Sequence, residues 1–337
     1  MSSKVGLALF GLGRMGLHHA KNILMSSRAS LQWIVCDNVN DAMNVKNEFN
    51  LSAKCVTPDN TDHVMDDSSV NAVMIVSPTA THESLINKSL MADKDVFCEK
   101  PLTPSVETTR KCYEIAESKN RTLLCGFSRR FDPSFYSVYK KVRSGSIGPV
   151  RIVKSTSRDY PFPPIDYLRT SGGIFKDSTV HDLDMCSWLA GSKPVSVYAQ
   201  GHANNLALRD FGDNDQVVVV VTYENGTIGV VDNGRWAPFG YDQRLEVLCE
   251  KEQLNVANKS ETHVMTSSDE GTVLSRSVND FIERYPVAYR NELDHFINII
   301  QGKEEPRVSK MDTIRAMRLV ELCYTSLEKQ SVVEYTE

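Results

Sequence analysis

The sequence predicts a two-part molecule. A doubly wound parallel α/β domain is expected over residues 1–125, followed by an α+β domain over 126–337 built on a large, mostly antiparallel open sheet. Three observations carry this expectation. Short apolar runs alternate with amphipathic stretches through the first third of the chain, the texture of strand-helix-strand units. After Gly126, β-branched strand-like segments dominate. The 337 residues amount to about two domains at the usual ~150 residues each.

In order, Val5 to Phe10 is an apolar run of strand length, Leu17 to Ser26 reads as a helix, Leu31 to Cys36 as a strand and Asp41 to Asn50 as a helix. A strand at Ala72 to Ser77, a helix at Thr81 to Met91, a strand at Asp95 to Cys98, a helix at Ser105 to Lys119 and a strand at Thr122 to Cys125 continue the alternation. Beyond the boundary come a helix at Pro133 to Arg143 and strands at Val150 to Ser157, Val195 to Gly201, Gln216 to Tyr223, Thr227 to Asp232 and Leu245 to Glu250. Asn225-Gly226 between two β-branched runs is the strongest hairpin signal in the chain. Helices at Ser178 to Leu189, Ala288 to Gln301 and Met311 to Lys329 complete the second domain.

Composition narrows the function classes. With 38 Lys+Arg against 43 Asp+Glu, the net charge is −5, and no basic block is present to hold a phosphate backbone, so nucleic acid is not expected as a partner. The longest aliphatic runs, such as Val217 to Val221, are far shorter than the ~18 to 20 residues a bilayer demands. Met1-Ser2-Ser3-Lys4 leads directly into a strand-like segment without a targeting pattern, so a cytoplasmic protein is expected. The eight cysteines contain no Cys-x-x-Cys and several lie in apolar runs, which suits reduced core thiols.

Gly11-Leu12-Gly13-Arg14-Met15-Gly16 stands between the first strand and a helix. In this G-x-G-x-x-G pattern the first glycine permits the tight turn, the second lets backbone approach a pyrophosphate, and the third lets helix and strand pack closely. Asp37 follows Gly16 by 21 residues at the end of the second strand. A carboxylate there accepts from ribose hydroxyls and repels a 2′-phosphate, favouring NAD over NADP; Arg14 beside the turn slightly offsets that preference.

Two further constellations carry chemistry. Glu99-Lys100-Pro101 ends a strand of the parallel sheet, and ligands of such sheets bind outside the carboxyl ends of strands. A lysine there can hydrogen-bond a reacting oxygen and offset its charge; a solvated surface lysine is the competing reading. In the second half, Asp177, His181 and Asp184 are spaced i, i+4 and i+7. On a helix they can share a face, and carboxylates beside a histidine fix its tautomer and stabilise its imidazolium, as a general base requires. Ordinary helix-start acidity competes equally at this point. A metal site is not expected, because no second histidine stands at ligand spacing.

Together, Gly11 to Gly16, Glu99-Lys100-Pro101, Gly126-Phe127-Ser128-Arg129-Arg130-Phe131-Asp132, and Ser171-Gly172-Gly173 through Asp177, His181 and Asp184 resemble the Gfo/Idh/MocA oxidoreductases over nearly the whole chain, with inositol 2-dehydrogenases the most similar members. The resemblance implies a Rossmann domain, an α+β domain whose open sheet forms a homodimer or homotetramer, and hydride transfer between NAD and a secondary hydroxyl of a cyclic polyol or sugar. It implies that Lys100 binds the reacting hydroxyl, Asp177 holds substrate and orients the base, and His181 accepts the proton. Gly11, Gly13, Arg14, Met15, Gly16, Asp37, Ser77, Thr79, His82, Glu99 and Lys100 then line the cofactor, Arg129 lies beside nicotinamide and substrate, and Asp159 and Tyr241 meet ring hydroxyls. Ser128 and Lys176 stand where the family usually has apolar residues, which leaves the identity of the polyol open. A monosaccharide or anhydrosugar dehydrogenase on the same scaffold is one alternative. A non-catalytic NAD-sensing regulator is another, against which the joint presence of the lysine, aspartate and histidine weighs.

Overall fold

A computed structural model describes residues 4–336. Its chain divides into two compact units, one formed by residues up to Phe131 together with Val287–Ile314, the other by Asp132–Pro286 and the residues from Arg315 onward.

The first unit opens with β1 (Val5–Phe10), α1 (Arg14–Met25), β2 (Ala29–Val35), α2 (Val39–Glu48) and β3 (Lys54–Val56). It continues through a short α3 (Asp62–Met65), β4 (Ala72–Ile75), α4 (His82–Met91), β5 (Asp95–Glu99), α5 (Val106–Ser118) and β6 (Leu123–Gly126). The six strands are all parallel in the order β3-β2-β1-β4-β5-β6, the doubly wound arrangement of a dinucleotide-binding sheet. β1, β4, β5 and β6 are buried along their whole length, which is why they read as continuous apolar runs rather than alternating ones. Sequence reading missed β3: Lys54-Cys55-Val56 is too short and too exposed to carry a pattern of its own.

In the second unit, α6 (Pro133–Arg143) is capped by Asp132, whose carboxylate accepts from the Ser134 and Phe135 N–H groups. There follow β7 (Val150–Arg158), α7 (Ile165–Thr170), a π turn at Phe175–Thr179, α8 (Val180–Ala190), β8 (Pro194–His202) and α9 (Leu206–Arg209). Then come β9 (Gln216–Tyr223), β10 (Ile228–Gly234), β11 (Asp242–Cys249), β12 (Gln253–Val256), an exposed hairpin of β13 (Met265–Ser268) and β14 (Gly271–Leu274), and α10 (Phe281–Arg284). The chain closes with α11 (Pro286–Ile300), which after Pro286 belongs to the first unit, α12 (Lys310–Lys329), which belongs to the second unit from Arg315 onward, and β15 (Val333–Glu334). Seven strands form one sheet in the order β12-β11-β7-β10-β9-β8-β15, antiparallel except where β7 and β10 run parallel. The β9–β10 hairpin turns at Asn225-Gly226 as the sequence predicts, with Gly226 at φ 82°. α8 packs on β7 and β10 and is buried from Asp182 through Ala190.

The domain boundary differs from the expected 125/126 division. Phe131 closes the first unit, and Val287–Ile314 returns to it. α11 explains the return: Phe296 meets Phe97 of β5 at 5.9 Å between ring centroids, and Tyr289 meets His19 of α1 at 5.7 Å. Arg28 of the β2 entry binds Asn298 and Asp294, the buried Arg130 donates to the Arg307 carbonyl at 2.9 Å and to Asp312 at 3.0 Å, and Tyr113 pairs with Thr313 at 2.9 Å. Such long-range pairings leave no local trace in the sequence.

All eight cysteines are thiols, seven of them buried. Among the described residues, no helix is long and apolar enough to cross a membrane.

Candidate active site

In the first unit the turn between β1 and α1 has the three properties that the glycine pattern demands. Gly11 has φ +98°, and a Cβ there would lie 2.7 Å from the Ser77 nitrogen and the Val76 oxygen. A Cβ on Gly16 would meet the Gly11 oxygen at 2.2 Å, so only glycine lets α1 start against the turn. Gly13 differs: nothing lies within 4 Å of its Cβ position, so the open space over it is available to a ligand. α1 starts from Gly13 with no side-chain cap and no acidic residue in its first turn. Its initial N–H groups therefore face outward with the positive end of the helix dipole, which fits a dinucleotide pyrophosphate. Arg14 is exposed and Met15 half-buried beside them. Asp37 is exposed just past β2, where a carboxylate can receive ribose hydroxyls.

The loops after β4 and β5 are tied together. Ser77 and Thr81 hydroxyls lie 2.6 Å apart, and Thr79 is half-buried between them. His82, expected to line the cofactor, is buried, with its ring nitrogens 2.9 Å from the Ser77 carbonyl and 3.0 Å from the Pro101 carbonyl. Its side chain braces two loops. Glu99 has a similar internal role: one carboxylate oxygen lies 2.8 Å from His19 Nε2, and the other accepts the Lys100 N–H at 3.2 Å. Lys100 itself is half-buried at the carboxyl end of β5, joined to Pro101 by a cis peptide. Arg129 is buried in the turn that follows β6.

In the second unit Asp177 and His181 come from consecutive turns, with Asp177 in the π turn and His181 in the first turn of α8. The helix spacing expected for them is thus altered by a π segment, a feature that recurs at functional sites. Asp184 is buried at 1% exposure, whereas Asp177 and His181 are half-buried. Asp182 is a structural carboxylate: it accepts from Ser155 and Ser157 of β7, both at 2.6 Å, and fastens the start of α8 to the sheet.

Around Asp177 the structure assembles residues that sequence reasoning did not single out. Arg235, just past β10 and 1% exposed, donates to Asp177 Oδ2 at 2.5 Å. Tyr167 of α7 donates its hydroxyl to Asp177 Oδ1 at 2.7 Å. Asp159 and Asp213 stand 3.8 and 3.7 Å from the same guanidinium. Burial opposes the charge on Arg235, but Asp177 and Asp159 outweigh it and hold its pKa above the ordinary value. Burial, then the Asp177 charge, pushes the Tyr167 hydroxyl up, so it remains a donor. Asp159, expected to meet substrate hydroxyls, therefore shares one arginine with Asp177. Tyr241 is buried at the head of β11, and its N–H donates to the Val278 carbonyl at 2.9 Å. A charged residue directly after a β-strand was the only sequence cue to Arg235, and its carboxylate partners lie 22 to 76 positions away.

Comparison with known proteins matches a family domain to each of two stretches of the chain. Residues 5–127 match an oxidoreductase family with an NAD-binding Rossmann fold, and residues 135–255 match the GFO/IDH/MocA C-terminal domain. The chain is 36% identical over 332 residues to myo-inositol 2-dehydrogenase of Thermotoga maritima, covering 98% of each protein. It superposes with a TM-score of 0.94 at 34% identity on a putative myo-inositol dehydrogenase from Sinorhizobium meliloti, covering 99% of this chain and 100% of that one. The TM-score is 0.89 at 26% identity with scyllo-inositol dehydrogenase from Lactobacillus casei bound to NAD(H) and scyllo-inositol, over 98% and 99% of the two chains. A glycine turn shaped for a pyrophosphate on one unit, a histidine and braced aspartate on the other, and both family domains in order lead to one conclusion: the chain belongs to the Gfo/Idh/MocA family of NAD-binding oxidoreductases.

Proposed function

We propose that this enzyme oxidises a secondary hydroxyl of an inositol, with Lys100, Asp177 and His181 as the groups that act on the alcohol. The observation that carries the chemistry is the Asp177 carboxylate, held by Arg235 and Tyr167 one turn before His181. Bound NAD supplies the hydride acceptor at its nicotinamide ring. His181 takes the hydroxyl proton at a ring nitrogen, and Asp177 stabilises the resulting imidazolium. Lys100 hydrogen-bonds the reacting oxygen and offsets its developing charge. Arg129, Asp159 and Tyr241 hold the substrate. The inositol assignment rests on the full-length similarity to the myo- and scyllo-inositol enzymes and on the hydrogen-bonding character of these side chains.

Self-association through the second unit's sheet is part of the same proposal. Val195, Val218, Ile228 and Leu248 expose 44, 43, 39 and 37% of their surface along its strands, apolar area that a homodimer or homotetramer would cover. Light scattering should return a multiple of the 37.8 kDa chain mass; a monomer would reject this part. A panel of inositols, hexoses and anhydrosugars offered with NAD and with NADP tests the substrate. Turnover concentrated on an inositol with NAD is expected, whereas turnover confined to a hexose or anhydrosugar would replace the inositol assignment.

A further inference from the structure

Arg235 lies at the junction of two groups of contacts. On one side it binds Asp177, whose other oxygen is taken by Tyr167, so both carboxylate oxygens are occupied and the side chain has a single orientation. On the other side is Asp213, whose Oδ1 accepts the Ile174 N–H at 2.9 Å at the start of the π turn. The Tyr324 hydroxyl donates to the Gly172 carbonyl at 2.8 Å in the same loop. The segment from Gly172 to Asp177 is therefore held from α7, from the end of β10, from the loop after α9 and from α12.

The charge count is as informative as the geometry. Asp159, Asp177 and Asp213 place three carboxylates around one guanidinium, a net of −2 when all are ionised, in a cluster whose Asp177 stands one turn before His181. Carboxylates at this density repel one another, and a 1%-exposed arginine without a compensating role would be costly to bury.

We propose that Arg235 is a positioning residue for the dehydrogenase reaction: it fixes Asp177 in the orientation that serves His181 and offsets the charge of three carboxylates, which sets the pH range over which His181 is a free base. The proposal rests on the reading of His181 as proton acceptor. Groups around Asp177 include Tyr167 from α7, Arg235 from the end of β10 and Asp159 from the end of β7, with Asp213 and Tyr324 beyond the guanidinium, Lys176 beside it in the π turn and His181 in the first turn of α8. Removing a positive charge from this set raises the pKa of a nearby histidine, and removing a negative one lowers it.

The test follows the ring titration of His181 by NMR in the full-length protein, its resonance identified by loss in His181→Ala. Arg235→Met should move that titration up by roughly half a unit or more, and Asp213→Asn should move it down. Arg235→Lys, which keeps the charge without the planar fork, should leave the titration near wild type while kcat on the wild-type substrate falls about tenfold or more from misorientation of Asp177. A role confined to stability would lower Tm without shifts of opposite sign. Unmoved titrations, or shifts in one direction for both charge changes, would overturn the proposal, and if Arg235→Met does not fold, the other two variants decide it. The titration needs no substrate, so inactivity of the wild type on every polyol would count against the inositol assignment and leave this test standing.

Discussion

At the scale of single residues, the sharpest distinction is between the glycines of the first turn. Gly13 has φ −68° and open space where a Cβ would stand, so Gly13→Ala should leave the ligand-free Tm unchanged or slightly higher while NAD affinity falls. Gly16→Ala places a methyl 2.2 Å from a backbone oxygen and should lower Tm and NAD affinity together. Calorimetry with and without NAD separates the two. At Asp37, exposed past β2, substitution by alanine should narrow the ratio of NAD to NADP affinity; an unchanged ratio would remove its assigned role. His181→Ala should lower kcat by about 10²- to 10⁴-fold with NAD binding intact, as loss of a general base does. The glycines and Asp37 were legible in the sequence because their roles follow from local backbone and chain spacing. Arg235, Tyr167 and Asp213 were not: Arg235 and Tyr167 take their meaning from meeting Asp177 across 58 and 10 positions, and Asp213 from meeting Arg235 across 22, and a single sequence does not record such meetings.

At the scale of elements, the parallel strands were readable because burial on both faces forces uninterrupted apolar runs. The hairpin at Asn225-Gly226 was readable because its turn needs a left-handed residue. The π turn at Phe175–Thr179 was invisible, since one inserted helical residue leaves the apolar pattern almost unchanged. α11 carries the least expected group, Glu292, which is 1% exposed and whose two carboxyl oxygens have no hydrogen-bond partner in the protein. Burial, and then the nearby Glu99, holds its carboxyl well above the usual range. The folded chain therefore keeps it protonated while the unfolded chain ionises it above about pH 4.3. Its contribution to stability is complete below that value and is lost as pH rises toward the folded pKa. Glu292→Gln, which cannot ionise, should therefore gain more in Tm over wild type at about pH 8 than at about pH 5. An equal difference at both would show that Glu292 is charged in the fold.

At the scale of the whole molecule, length and composition indicated two domains, and the motifs divided them into a cofactor half and a substrate half. The division of the chain was the part the sequence did not disclose, because residues 287–314 rejoin the first unit through an arginine, a tyrosine and aromatic contacts far away in number. Arg130→Met removes the partner of Asp312, whose carboxyl Arg130 holds below its ordinary value against the effect of burial. It should destabilise the protein by about 3 kcal/mol, read by denaturant unfolding. A chain ended at Phe131 lacks α11 and should fail to give a cooperative melt. The joint requirement for both halves leads to the most direct test of the account: NADH formation from an inositol by the wild type and by Lys100→Ala, Asp177→Asn and His181→Ala, with NAD affinity measured on each. The account predicts NAD-dependent turnover in the wild type, and losses of at least about 10²-fold in all three variants with NAD still bound by the Asp177 and His181 variants. Near-normal turnover in any of the three, or tight NAD binding with no turnover of any polyol or sugar by the wild type, would contradict it.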